Sequence, residues 1–510
     1  MSSLNTIYKQ KLLLFLAVVV NLAIVFFIPI HPDDFSSYHA LACGFSPQKV
    51  NTFHSPCNSY FHQFGPFDYQ QSYEYVGIAS SIIMGFFIHV INPLIAHYIW
   101  GLIALIITSL GLYKSFKIQK HWILIFLYLP VTYPILHDDS PIRLSIIFFA
   151  WTPFLLIKAK ESGKLLRIGI YFFISMGWLL STEDKPFFVY LLPGLFFLYL
   201  STQDNLQLKH PSIYLKKFLL FITLFLPTLF FLIFSQTNGK SYLESLSQNS
   251  VASTYGYTRS ILTAILHLFS WFAFPVRAVD FNKSSKINQV EYLEAIPWGN
   301  GVISLISLLT LLITGILFII FYFRFCQRVL SRNKSINKVK AQMQIIAVLM
   351  LLIFPISGGS WSGHHYVFVQ VVIMIILFEN LETFSTNNSY KLLVTLSIIT
   401  VLLTILTPAR SYNSSDSRKA IDYAYSIATD NSVINCAYSC YFEYSLRNIR
   451  SIPVTFATEP SEGSGLLAKA EDIITICKLC QNQDVLYIFG SSAKVKHEST
   501  FGDWSVFKVS

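Results

Sequence analysis

Residues 12–34 read LLLFLAVVVNLAIVFFIPIHPDD, and the fold turns on how this stretch is read. Leu12 to Ile30 is an apolar run of about the length that crosses a hydrocarbon core, which takes ~20 helical residues. Inside lipid the backbone finds no water, so a single crossing segment must be a helix that satisfies its own N–H and C=O groups. Lys9 and Lys11 precede the run, and His31, Pro32, Asp33 and Asp34 follow it at once. A cleaved leader would also begin with basic residues, but Ile28-Pro29-Ile30 lacks the small residues of a cleavage site. The run is expected to remain as a first membrane helix, with a carboxylate pair where it leaves the membrane.

Ten further runs continue the pattern, near 94–113, 121–136, 142–157, 167–181, 186–200, 216–234, 298–322, 341–356, 365–381 and 391–407. The whole chain is 53% hydrophobic and only 13% charged, where soluble domains carry about 25% charged residues. That excludes a string of soluble domains. It also strips the net charge of +10 of any nucleic-acid meaning, because basic residues in membrane proteins mark cytoplasmic loops. Two more apolar stretches, near 75–91 and 261–279, read as interfacial or re-entrant, since counting them as spans moves basic clusters to the wrong side.

With the N-terminus inside, 19 of the 37 Lys and Arg fall in six short cytoplasmic segments. They include Lys114, Lys117 and Lys120; Lys158, Lys160, Lys164 and Arg167; Lys209, Lys216 and Lys217; and the run from Arg324 to Lys340. This is the positive-inside distribution. It predicts an α-helical polytopic protein of about eleven spans over residues 1–407. Long outer loops occupy 31–93 and 235–297, and a tail over 408–510 lies outside. The tail loses the long apolar runs and reads as a small α/β domain. Strands are expected at Val433-Ile434, at Ile452-Pro453-Val454 and at Val485 to Phe489, and a helix over Gly465 to Leu479.

The cysteines follow the same partition. Cys43, Cys57, Cys436, Cys440, Cys477 and Cys480 lie outside, and Cys326 alone lies inside. An even set in the oxidising compartment suggests disulfides: Cys43 with Cys57, and two among the four tail cysteines, for which three pairings exist. Zinc binding by the tail's CxxxC and CxxC spacings is the alternative.

Four polar constellations then fall on the outer surface, each beside a span end. They are His31-Pro32-Asp33-Asp34, His137-Asp138-Asp139-Ser140-Pro141-Ile142-Arg143, Glu183-Asp184-Lys185, and the segment from Gly358 to Tyr366 that contains His364 and His365. Each has a structural reading as well. Ser140-Pro141 makes a good N-cap and first helical residue, so Asp138 and Asp139 also suit a helix dipole. Lys185-Pro186 opens the next helix in the same way. His364, His365 and Tyr366 also fit an aromatic belt. Arg143, Arg259 and Arg277 are outer cations suited either to phosphate or to lipid headgroups.

The acidic pair after the first span, the further acidic residues in the next outer loops, the two long outer loops and the outer tail domain resemble the GT-C superfamily of membrane glycosyltransferases. That superfamily includes protein O-mannosyltransferases and the lipid A aminoarabinose transferase. The likeness covers the whole chain in architecture, while its motifs are short. It implies transfer of a hexosyl or pentosyl group, with inversion, from a polyprenyl-phosphate carrier to a lipid, glycan or protein acceptor. Asp33 or Asp34 would be the general base. Asp138, Asp139, Arg143, Glu183, Asp184, Lys185, Arg259, His364, His365 and Tyr366 would bind substrate. The resemblance assigns no definite cofactor, and a divalent cation (Mg²⁺ or Mn²⁺) held by Asp138, Asp139, His364 or His365 is the candidate metal.

A polysaccharide polymerase or ligase would share these features. A glycolipid transporter or flippase would instead carry ionisable groups within its spans, and here the span ends carry them. The expected partners are the lipid-linked donor, its acceptor and membrane lipid, with no nucleic acid. A bacterial inner membrane is expected, with a periplasmic tail, because Lys508-Val509-Ser510 is no endoplasmic-reticulum retrieval signal.

Overall fold

A computed structural model describes residues 61–64, 67–70, 93–117, 142–181, 185–203, 211–237, 240–241, 338–357, 415–429, 432–437, 454–455 and 472–510, with isolated positions elsewhere; for some of these, Lys185 among them, it describes the backbone alone. The chain divides into two compact units. One comprises Met1–Ile28, Tyr98–Phe234 and Lys240–Ala409; the other gathers Pro29–His97, Ser235–Gly239 and Arg410–Ser510.

The first unit is helical. Its described helices are α1 (Pro93–Phe116, of which the first residues fall in the other unit), α2 (Ile142–Glu161), α3 (Lys164–Ser181), α4 (Lys185–Ser201), α5 (Pro211–Phe234) and α6 (Lys338–Ser357). They fall on six of the expected runs. Among the described residues, Ile99–Phe116, Lys164–Ser181 and Pro211–Phe230 are long and apolar enough to cross a membrane. The runs at 12–30, 121–136, 298–322, 365–381 and 391–407 lie outside the described residues except for isolated positions. Large apolar side chains point outward: Leu165 is 86% exposed and Phe172 65%. Water would not tolerate so much of this surface, whereas lipid tails do.

Packing between these helices uses small residues and polar repairs. At Gly111 of α1, an added Cβ would sit 2.6 Å from Cδ1 of Trp151, so only glycine lets α2 approach. Trp151 then donates its indole N–H to the Ile107 carbonyl at 2.8 Å. Gly177 of α3 is likewise filled by the Phe148 ring of α2. Close approach through small residues is how helices gain contact where no hydrophobic drive exists between them.

Pro153 sits inside α2 and breaks its hydrogen-bond ladder. Ser115 of α1 repairs the gap: its hydroxyl accepts the Phe154 N–H at 3.2 Å and donates to the Ala150 carbonyl at 2.5 Å. Beside the same break, Trp178 of α3 donates to Thr152 Oγ1 at 3.0 Å and lays its ring 5.7 Å from Phe225 of α5. Buried Phe221 and Phe225 continue this aromatic core toward Phe196 of α4. At the other end of the α2–α3 hairpin, Arg167 reaches back to the carbonyls of Ala159, Lys160 and Ser162 at 3.0–3.3 Å, satisfying acceptors that a helix end leaves bare.

The second unit contains two sheets. In the smaller, β1 (Phe61–Phe64) pairs antiparallel with β2 (Phe67–Gln70) and with β3 (Ser235–Thr237); the short strand β4 (Lys240–Ser241) belongs to the first unit. The register sets Gln63 opposite Gln236. Segments more than 160 residues apart, both in expected outer loops, thereby share one sheet.

The tail forms the larger sheet. Its elements are α7 (Ser415–Ile427), β5 (Ser432–Ala437), β6 (Val454–Thr455), β7 (Asp472–Lys478), α8 (Asn482–Phe489), β8 (Val495–Phe501) and β9 (Trp504–Val509), with strand order β6-β5-β7-β9-β8. β5 runs parallel to β6 and β7, and β9 runs antiparallel to both β7 and β8. Successive side chains of a strand face opposite ways, and both faces here are covered. Ile434, Ile474, Ile476 and Val506 pack under Ala420, Ile421 and Ala424 of α7. Val433, Ile473, Cys477 and Phe507 pack under Val485, Ile488 and Phe489 of α8.

Two local expectations are corrected here. The described part of 465–479 is strand β7 rather than helix, because Ile473-Ile474-Thr475-Ile476 is a β-branched run buried on both faces. Val485 to Phe489 is helix α8 rather than a strand. Its buried residues, Val485, Ile488 and Phe489, keep the i, i+3, i+4 spacing, while Tyr487 is 64% exposed. Asp484 starts that helix by accepting the Gln481 N–H at 2.8 Å.

Cys477 and Cys480 form a disulfide at the end of β7. Cys43, Cys57 and the side chains of Cys436 and Cys440 lie outside the described residues, and Cys326 is a free thiol.

Candidate functional site

Of the expected site residues, Arg143 and the backbone of Lys185 are described. Asp33, Asp34, Asp138, Asp139, Glu183, Asp184, Arg259, His364, His365 and Tyr366 lie outside the described residues. The geometry is therefore that of the helix ends that carry them.

α2 begins at Ile142, directly after Ser140-Pro141, which agrees with a proline-led start. α3 ends at Ser181 and α4 begins at Lys185, so only residues 182–184 connect them. Pro186 is the second residue of α4, where its missing N–H costs no hydrogen bond. The start of α2 and the end of α3 are tied together: Ser145 Oγ donates to the Ser181 carbonyl at 2.6 Å, and both residues are buried.

That bond joins the two helix ends that follow Asp138 and Asp139 and precede Glu183 and Asp184 in the sequence. Ser181 adds a buried hydroxyl that has no hydrogen-bond partner among the described residues.

Arg143 is the second residue of α2 and is fully buried. It is an engaged side chain. A guanidinium out of water is costly unless anions or acceptors surround it, and the N-terminal turn of a helix is electrostatically its worst position. Arg143 lies inside the helical unit, where an anionic complement has more effect than in water. No group of three metal-ligating side chains occurs among the described residues, and the metal candidates Asp138, Asp139, His364 and His365 are not among them.

The Ser145–Ser181 link is what the sequence reading missed. Ser145 sits inside an apolar run and reads as a tolerated small polar residue. The signal available was its position, two residues after Arg143 on a helix that must pack in lipid.

No family model matches this chain, and no curated protein does. Among solved structures it is similar to the crystal structure of ArnT from Cupriavidus metallidurans bound to undecaprenyl phosphate, with a TM-score of 0.51 and 10% sequence identity. The match covers 98% of this chain and 97% of that one. At that identity the likeness is one of fold. It runs end to end, and it agrees with the polytopic membrane architecture read from the sequence.

Proposed function

We propose that the protein is an integral-membrane glycosyltransferase that takes a sugar from a polyprenyl-phosphate carrier and transfers it to a lipid, glycan or protein acceptor on the non-cytoplasmic face. The observation that supports this reading is the ArnT-like fold, with the Ser145–Ser181 bond joining the helix that follows Asp138 and Asp139 in the sequence to the helix that precedes Glu183 and Asp184. The grouping of Pro29–His97, Ser235–Gly239 and Arg410–Ser510 in one unit supports placing all three on one side of the membrane.

In the proposed reaction an acceptor hydroxyl attacks the anomeric carbon of the donor. The bond between that carbon and the phosphate oxygen breaks, the configuration inverts, and the electron pair leaves on the lipid phosphate. Asp33 or Asp34 takes the hydroxyl proton as general base. The departing phosphate needs cations and hydrogen-bond donors rather than an acid. Lys185, with one of His364 or His365, supplies that charge, with Arg143 and Arg259 as further anion contacts. Asp138, Asp139, Glu183, Asp184 and Tyr366 line the sugar and acceptor side. A divalent cation at Asp138, Asp139, His364 or His365 would add charge stabilisation at the phosphate.

Removing the protein from its native cell tests this reading. Lipid-linked sugars are then profiled beside envelope glycans. The proposal expects one polyprenyl-phosphate sugar to accumulate while its acceptor loses that sugar. Unchanged profiles of both would overturn it. Accumulation of long lipid-linked glycans instead would indicate a polymerase or ligase.

A further inference from the structure

The end of the helical unit away from the Ser145–Ser181 link collects cations from three helices. α2 ends there with Lys158 and Lys160, α3 begins with Lys164 and Arg167, and α5 brings Lys216 and Lys217 in its second turn. Two relationships show that α3 and α5 start at this same end: Trp178 packs against Phe225 further along, and Lys160 acts electrostatically on Lys217. From Ser145 to Lys160 the axis of α2 runs about 22 Å, so this is the opposite end from the candidate site.

The charges do not cancel locally. Glu161 is the one carboxylate of these helix ends among the described residues, and Lys158 holds it at 2.7 Å. Arg167 is spent on three backbone carbonyls. Lys160, Lys164, Lys216 and Lys217 have no carboxylate partner among the described residues. Lys217 is half-buried as well, a poor position for an ammonium unless an anion approaches it. Between these lysines the surface is apolar: Leu165 is 86% exposed, and Leu166, Ile213 and Leu215 are exposed with it.

Uncompensated cations from separate helices, set above a lipid-facing apolar surface, match a phosphodiester with acyl chains. We propose that this end of the helical unit binds an anionic phospholipid, its phosphate held by Lys160, Lys216 and Lys217 and its chains lying along Leu165 and Leu215. The site is separate from the donor site and does not depend on the transferase reading.

The test uses the full chain in nanodiscs of phosphatidylcholine, with phosphatidylglycerol or cardiolipin titrated in, and reads retained lipid by native mass spectrometry. The wild type should prefer the anionic lipid. The Lys160→Gln/Lys216→Gln/Lys217→Gln variant should lose about fivefold in that preference per lysine removed. Lys494→Gln/Lys496→Gln, changed in the tail domain, should keep it. Equal retention in the triple variant and the wild type would overturn the proposal. So would displacement by inorganic phosphate alone, or selective retention of undecaprenyl phosphate by these same lysines. If the triple variant does not fold, the wild-type measurement still decides: equal affinity for zwitterionic and anionic lipid overturns the site.

Discussion

Ser145 donates its hydroxyl hydrogen to the Ser181 carbonyl at 2.6 Å, and this buried bond joins the helix that follows Asp138 and Asp139 to the helix that precedes Glu183 and Asp184. Ser145→Ala removes the donor and leaves a carbonyl unsatisfied, which costs about 1–3 kcal/mol. On the proposed function both helix ends lead into the site, so sugar transfer should fall by more than the loss of folded protein accounts for. Thermal unfolding and turnover per folded molecule check this together. A stability loss with full turnover would mean that the bond holds the helices and not the site.

Ser115 offers a comparison far from the charged turns. Its hydroxyl bridges Phe154 N–H and the Ala150 carbonyl across the break at Pro153. Ser115→Ala should destabilise the protein by about 1–3 kcal/mol, and turnover per folded molecule should stay near wild type. Tm and specific activity in detergent measure the two effects separately.

The Cys477–Cys480 disulfide selects one of three pairings for the tail and leaves Cys436 to Cys440. Peptide mapping without reduction should find both bridges, and Cys43 joined to Cys57. A peptide linking Cys436 to Cys477 would contradict the pairing. Free thiols at all six positions would contradict an oxidising compartment for these segments.

Topology is a separate prediction. Cysteine-reactive labels or reporter fusions placed after residue 410 should report a non-cytoplasmic tail, and those placed in the segment from Arg324 to Lys340 a cytoplasmic one. A cytoplasmic tail would undo the shared outer face on which the site depends.

The parts of the fold that were legible in the sequence are those set by the membrane. A run such as 216–234 can satisfy its backbone in lipid only as a helix, and α5 occupies it. The tail was read less well. Ile473-Ile474-Thr475-Ile476 and Val485-Leu486-Tyr487-Ile488-Phe489 are short apolar runs in which the strand and helix periods cannot be separated. Only the layer covering each face decides between them, and that layer comes from distant chain. The candidate site was legible as positions at span ends. What was not legible is what joins them, since a Ser–carbonyl bond between α2 and α3 leaves no pattern in spacing or charge.

The central claim is that Asp33 or Asp34 accepts the acceptor's proton while Lys185 and a histidine of the pair His364 and His365 hold the phosphate. The most direct measurement is sugar transfer by the purified Asp33→Asn/Asp34→Asn variant at matched protein level, with donor affinity determined in parallel. Asparagine keeps the shape and removes the basicity, so transfer should fall by about 10²–10⁴-fold while donor binding is largely retained. Lys185→Ala, measured alongside, should weaken donor binding and turnover together. Near-normal transfer by the double Asn variant would contradict the account.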